Sequence, residues 1–77
     1  MVDHLTRVTV DRASAHAEGI ATALRRAGFE VREERGRFVA DSSSVEASEV
    51  KSLLRTSGFS DREYRVFVEF VRRWGVM

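Results

Sequence analysis

The 77-residue chain contains no cysteine, so neither a disulfide nor a thiolate zinc site can stabilise its fold. No stretch approaches the roughly 18 consecutive apolar residues of a membrane span, and residues 1–10 lack the basic start and apolar run of a signal peptide. We therefore expect a cytoplasmic protein with no membrane contact. We also expect one domain, residues 1–77. Because a domain of this size buries only about 60% of its unfolded surface, its length favours help from a second subunit.

The chain also lacks an excess of charge of one sign. Thirteen basic and twelve acidic residues give a net charge of +1, far from the strong positive charge that phosphate neutralisation usually requires. No catalytic or phosphate motif stands out. His4 and His16 do not have metal-ligand spacing, and no carboxylate pair lies in an apolar setting that would raise a pKa. We expect no catalytic residue, no metal and no cofactor.

An internal repeat with an offset of 30 residues is the most informative pattern present. Residues 7–35 and 37–65 align without gaps, and 11 of the 29 aligned pairs are identical. Residues 66–77 extend beyond the second copy. Each copy opens with an apolar alternation typical of a half-buried strand. Each then continues through an aspartate to a helix that ends in Leu-Arg-x-x-Gly-Phe. The repeat thus predicts two successive strand–helix units.

The helices have one apolar stripe each, and serines lie near their predicted starts. Ser14 is expected to cap the first helix, while Ser43 or Ser44 caps the second, with Ser43 and Glu46 forming a capping box. Leu53 is expected to widen the second stripe. The stripe positions, at spacings of three and four, are Ala17, Ile20, Leu24 and Ala27, then Ala47, Val50, Leu54 and Ser57.

A hairpin over residues 29–41, with its turn at Gly36, would join the two units as β-α-β-β-α-β. A doubled unit of this length predicts a ferredoxin-like α+β sandwich, with an antiparallel sheet in the order 4-1-3-2 and both helices on one face. Residues 8–31 also resemble the first half of ACT regulatory domains, which bind amino acids at the first strand-to-helix turn. That family's usual glycine is absent here, where residues 11–14 read Asp-Arg-Ala-Ser, so its ligand site is not carried over.

Residues 62–74 support two interpretations. β-branched and aromatic residues and the match to copy one favour a fourth strand, with one face formed by Tyr64, Val66, Val68 and Phe70. A capping box of Ser60 and Glu63 and a clean polar–apolar separation are typical of a helix, which would give β-α-β-β-α-α instead. We favour the strand because the second unit needs it.

The two edges of the predicted sheet differ in sequence. Strand 2 has charged residues almost throughout, which protects an edge from pairing, whereas strand 4 is long and apolar. Our leading hypothesis is a non-catalytic, regulatory or interaction module that forms a homodimer, or binds another protein, through strand 4 and its aromatic tail. The interface residues predicted for it are Tyr64, Phe67, Val71 and Trp74.

Nucleic-acid binding is the alternative hypothesis. RNA-recognition domains stack bases on aromatic residues of the two central strands, and none is predicted there. Phosphate contacts would fall to arginines, although Glu30, Glu34 and Glu69 on the same face would offset their charge. A small-ligand binder or an enzyme is the third hypothesis, without a nominated residue. The arginines of the nucleic-acid hypothesis are Arg7, Arg37, Arg65, Arg72 and Arg73.

Overall fold

A computed structural model describes the backbone of residues 2–72 and the side chains of residues 4–69. The elements in chain order are β1 (Val2–Asp11), α1 (Ala17–Arg26), β2 (Glu30–Glu34), β3 (Arg37–Ser42), α2 (Ala47–Thr56) and β4 (Arg65–Arg72). All neighbouring strands are antiparallel and the sheet order is β2-β3-β1-β4. The predicted order is therefore confirmed, and the arrangement is consistent with a ferredoxin-like α+β fold. None of the described helices is long and apolar enough to cross a membrane.

Residues 65–72 form a strand, so the helical alternative for this segment is wrong. β4 pairs with β1 from Thr9 opposite Arg65 to Val2 opposite Arg72. The Ser60–Glu63 pattern that favoured a helix makes hydrogen bonds in a turn instead. The Ser60 amide donates to the Glu63 carboxylate at 3.0 Å, and the Glu63 amide donates to the Ser60 carbonyl at 3.0 Å. Capping hydrogen bonds thus form here without a helix after them.

Both helices end in the same hydrogen-bonded motif. In α1 the Gly28 amide donates to the carbonyl of Arg25, and the Phe29 amide donates to that of Leu24. In α2 the equivalent bonds run from Gly58 to Arg55 and from Phe59 to Leu54. The two glycines have φ values of 96° and 93°, in the left-handed region that disfavours other residues. The predicted helix ends are confirmed.

The helix starts differ from the prediction. α1 begins after His16 without a side-chain cap; the Ser14 carbonyl accepts the Ala17 amide, and the Ser14 hydroxyl donates to Glu63 instead of capping the helix. α2 begins after Glu46, which forms the capping box with Glu49 rather than with Ser43. Ser42, one residue earlier than predicted, accepts the amide hydrogen bonds of the preceding turn. Each loop continues at least two residues past its predicted serine before the helix begins, so His16 and Glu46 occupy the N-cap positions instead.

One hydrophobic core lies between the two helices and the inner face of the sheet. Leu53 was expected to join it but is 39% exposed, so that prediction is wrong. The β2–β3 hairpin turns at Arg35 and Gly36, both with positive φ (51° and 76°), as a two-residue connection between twisted strands requires. The core residues are Val8, Val10, Ala17, Ile20, Ala21, Leu24, Phe29, Phe38, Ala40, Val50, Leu54 and Tyr64.

β1 and β4 extend past the rest of the sheet. β3 pairs with β1 only from Thr6 to Asp11, whereas β4 pairs with β1 from Val2 onwards. Residues 2–5 and 69–72 therefore form a two-stranded ribbon, here called the β1–β4 arm. Only the backbone register of its outer part is described.

Candidate functional site

β4 is an edge strand with exposed apolar side chains. Within residues 2–72, no strand pairs with the side of β4 that faces away from β1. Phe67 on the outer face is 45% exposed, and Val68 on the inner face is 44% exposed, while Val66 packs against the core. The outer edge of β4 therefore combines free amide and carbonyl groups with apolar surface, which is the chemistry that accepts another strand.

β2, the opposite edge, has the reverse character. Of its five residues only Val31 is partly buried, and the other four are exposed and charged. Glu33 pairs with Arg12, and Glu34 pairs with Arg32 at 2.5 Å. A strand added at this edge would have to displace or desolvate these charges, so β2 is protected.

The predicted interface residues are not all at the β4 surface. Phe67 is exposed on the outer face and does not fold back over the domain's own core. Tyr64 is a correction: it is 7% exposed and belongs to the core, because it precedes β4 on the inner side of the sheet. Val71 lies in the β1–β4 arm opposite Asp3, and Trp74 lies outside the described residues.

A chain of ion pairs crosses the outer face of all four strands. Asp41 in β3, whose side chain is 14% exposed, accepts hydrogen bonds from Arg7 in β1 at 2.7 Å and from Arg32 in β2 at 2.8 Å. Arg7 also reaches Glu69 in β4 at 3.3 Å. The hydrogen bond from Arg7 is the largest cause that lowers the pKa of Asp41, and the same bond raises the pKa of Arg7. Four charges of alternating sign thus run from β2 to the β4 edge.

Because of this network, Arg7 is not free to bind a phosphate group. Its guanidinium is already shared by two carboxylates. Val39, also on the outer face, is only 6% exposed although no helix covers it, since it lies between Thr9 and Arg32 in the register. The face is a satisfied polar surface without an aromatic residue on its central strands, and it does not resemble a base-stacking platform.

Two of the other predicted arginines do meet in space. Arg37 and Arg65 line a cleft of about 530 Å³ at the end of the sheet where β1 ends, the β2–β3 hairpin turns and β4 begins. Arg35 and Arg62 line the same cleft and were not predicted. These four residues are here called the arginine cleft. The predicted sheet order could have revealed them, because it places the β2–β3 hairpin turn and the start of β4 at the same end of the sheet.

The remaining arginines of the nucleic-acid hypothesis are not in the arginine cleft. Arg72 lies in the β1–β4 arm opposite Val2. Arg73 lies outside the described residues.

Glu63 ties the loop before β4 to the start of α1. It contacts His16 Nδ1 at 2.5 Å and accepts the Ser60 amide, and the His16 contact is the largest cause that lowers its pKa. The His16 ring lies 5.9 Å from the Phe59 ring. Both carboxyl pKa shifts resolved in the described residues favour the charged form, which suits ion pairing rather than proton transfer. Residues 4–69 hold no group of three or more His, Asp or Glu side chains placed to bind a metal.

Comparison with protein-family models, with curated proteins and with solved structures finds no match to this chain. The resemblance of residues 8–31 to ACT domains therefore has no support from these comparisons. The turn that would hold an ACT ligand is closed by its own hydrogen bonds: the Ala13 amide donates to the Asp11 carboxylate at 2.9 Å and the Ser14 amide to the Asp11 carbonyl at 3.0 Å.

Proposed function

We propose that this protein is a small, non-catalytic interaction module that self-associates by pairing β4 with β4 of a second copy. The contrast between the two sheet edges carries the proposal. β2 is covered in charge, whereas β4 has a free edge and the most exposed large apolar side chains among the described residues, Phe67 and Val68. Pairing two β4 strands about a two-fold axis would join two four-stranded sheets into one.

The charges on β4 favour one register for this pair. A two-fold axis at Phe67 places Phe67 opposite its own copy, Val66 opposite Val68, and Arg65 opposite Glu69 of the second copy. Arg65 makes no ion pair within the described residues, and Glu69 remains half exposed beside Arg7. An axis at Glu69 would instead oppose two carboxylates. Cross-strand aromatic and opposite-charge pairs each contribute about 0.2–1 kcal/mol, and like charges directly opposite are destabilising.

The ion-pair chain of the outer face supports the same register. It runs Arg32, Asp41, Arg7, Glu69 across the four strands with alternating sign. In the proposed pair the next charge along this row is Arg65 of the second copy. The alternation continues across the two-fold axis, so no like charges meet there.

The first test is the oligomeric state of Phe67→Glu. The wild type should be a dimer by sedimentation and light scattering at micromolar concentration, and Phe67→Glu should be a monomer because two carboxylates would face each other at the axis. The matched control is Leu53→Glu, which removes a leucine of similar exposure (39%) from α2 and should remain dimeric. A monomeric wild type at high micromolar concentration would overturn self-association and leave only a different protein as the partner of β4.

The second test checks the register with two single variants. Arg65→Glu and Glu69→Arg should each weaken the homodimer, because each puts like charges opposite one another at two symmetric positions. An equimolar mixture should form heterodimers, since every such pair then has opposite charges. Mass spectrometry of the mixture gives the heterodimer fraction, and a statistical or smaller fraction would exclude the axis at Phe67.

We also infer that residues 7–35 and 37–65 arose by duplication of one strand–helix unit. The aligned Gly-Phe pairs close both helices with equivalent hydrogen bonds, which supports this origin. On this view the two edges began alike, and β2 became charged while β4 kept an apolar, extended sequence.

A further inference from the structure

We propose that the arginine cleft binds a compact anion with more than one phosphate group. Its four arginines come from two separate segments of the chain: Arg35 and Arg37 from the hairpin, and Arg62 and Arg65 from the loop before β4 and its first position. All four are exposed, and they converge on one concave space of about 530 Å³. Small-molecule sites have volumes of this order, roughly 300–1,000 Å³.

The four guanidinium groups have no carboxylate partner among the described side chains. None of them is within 4.0 Å of a carboxylate oxygen there, in contrast to Arg7, Arg12 and Arg32, which are all paired. Collecting unpaired like charges around a concave surface is unfavourable without a counter-ion. A bound anion would offset this repulsion.

The two acidic residues that line the cleft are directed to other partners. Asp11 accepts the Ala13 amide, and Glu63 is engaged by His16 and by the Ser60 amide. The Ala13 amide engages one oxygen of Asp11, which lies opposite Arg37 in the register, so Asp11 and Glu63 offset two of the four positive charges. The cleft therefore keeps an excess of positive charge in a protein whose net charge is only +1.

The shape of the basic surface favours a compact ligand over an extended nucleic acid. The arginines are confined to one end of the sheet, and the adjoining outer face is neutralised by the ion pairs of Asp41 with Arg7 and Arg32. A nucleic-acid strand would need positive charge along its path. Planar guanidinium groups match phosphate oxygens in pairs, so several arginines around one small space suit neighbouring phosphates of the same ligand.

Isothermal titration calorimetry with pyrophosphate in low-salt buffer tests the proposal. Wild type should bind pyrophosphate more tightly than orthophosphate, and Arg37→Gln and Arg62→Gln should each weaken binding about tenfold, the loss typical of one charge-assisted hydrogen bond. The control is Arg25→Gln, which removes the same charge from an exposed position in α1 outside the cleft and should change the affinity less than about twofold. Circular dichroism of each variant checks that the fold is retained.

Three results would overturn the proposal: no heat of binding at millimolar pyrophosphate, an equal loss in Arg25→Gln, or binding of a single-stranded 12-mer oligonucleotide without binding of pyrophosphate. Arg65 and Phe67 belong both to the cleft and to the proposed β4 interface, but the proposal does not rest on self-association, because Arg35, Arg37 and Arg62 lie off the β4 edge. Sedimentation of Arg62→Gln separates the two ideas, since this variant should lose anion affinity and keep the oligomeric state of the wild type.

Discussion

Replacing Thr6 by valine should stabilise the protein. Thr6 lies on the inner face of β1, between Ser42 of β3 and Val68 of β4, and is 0% exposed. Its hydroxyl oxygen has no hydrogen-bond partner among the residues that the structure describes. A buried hydroxyl without a partner loses its hydrogen bonds to water on folding and gains none, so the native state carries a desolvation penalty at this atom.

The magnitude follows from the two atoms that change. Removing an unsatisfied buried hydroxyl relieves about 1–3 kcal/mol, and the methyl group that replaces it is fully buried and adds up to about 0.8 kcal/mol. Strain from refitting the site subtracts from this sum. We expect a net gain of about 1–3 kcal/mol, which for a domain of this size raises Tm by roughly 4 °C or more.

Urea and thermal unfolding followed by circular dichroism measure this change. Thr9→Val is the matched control, because Thr9 lies on the same strand but on the outer face and is only half-buried, so it shares the gain in strand propensity without the buried hydroxyl. Thr6→Ser keeps the hydroxyl, loses the methyl and should destabilise by about 1 kcal/mol. A loss of stability in Thr6→Val would refute the reasoning, because it would mean that the hydroxyl is hydrogen-bonded in solution.

Three further predictions concern the helix ends, the ion-pair network and the surface of α1. Gly28→Ala and Gly58→Ala should each lower the free energy of unfolding in urea by about 1–2 kcal/mol. Both positions have positive φ and open space around an added methyl, so backbone strain is the only cost. Unequal losses would argue against equivalent helix ends. Because the pKa of Asp41 is lowered in the folded state, its stabilisation is present above its unfolded pKa of about 3.9 and is lost as pH falls through the folded value. The stability of Asp41→Asn should therefore fall less steeply than that of wild type between pH 5 and 2, and parallel curves would contradict this. Gly19→Ala should stabilise the protein by up to about 1 kcal/mol, because alanine has the higher helix propensity. The added methyl would lie 3.2 Å from the half-buried ring of Phe59, which must shift slightly. Destabilisation would mean that this ring is fixed.

The element order could be predicted because several local signals agreed. The apolar alternation at Val8 and Val10, the stripe through Ile20 and Leu24, and the glycine at each helix end are all short-range features. Each depends on neighbours within a few residues, and each is found in the structure. The aligned copies then favoured a strand for the last element, where periodicity alone supported both a strand and a helix.

The features that the sequence did not predict depend on distant parts of the chain. The arginine cleft joins Arg35 and Arg37 to Arg62 and Arg65, which meet only after the sheet has formed. Tyr64 was predicted to lie at the interface, yet it is buried in the core, on the same side of the sheet as Val66. The serine caps failed because each helix begins beyond its predicted serine, α1 after His16 and α2 after Glu46.

In the proposed dimer, the two edges differ in how their charged residues are paired. On β2, Glu33 and Glu34 are matched by Arg12 and Arg32 within the same chain, so that edge has complete ion pairs whose desolvation would oppose an added strand. On β4, Glu69 has one contact at 3.3 Å, longer than the 2.5 Å pair of Glu34 on β2, and Arg65 has no ion pair in the described residues. An incoming β4 strand would therefore complete ion pairs rather than break them. On the proposed pairing, the same charged residue types block one edge and favour association at the other, and the difference lies in where their partners are.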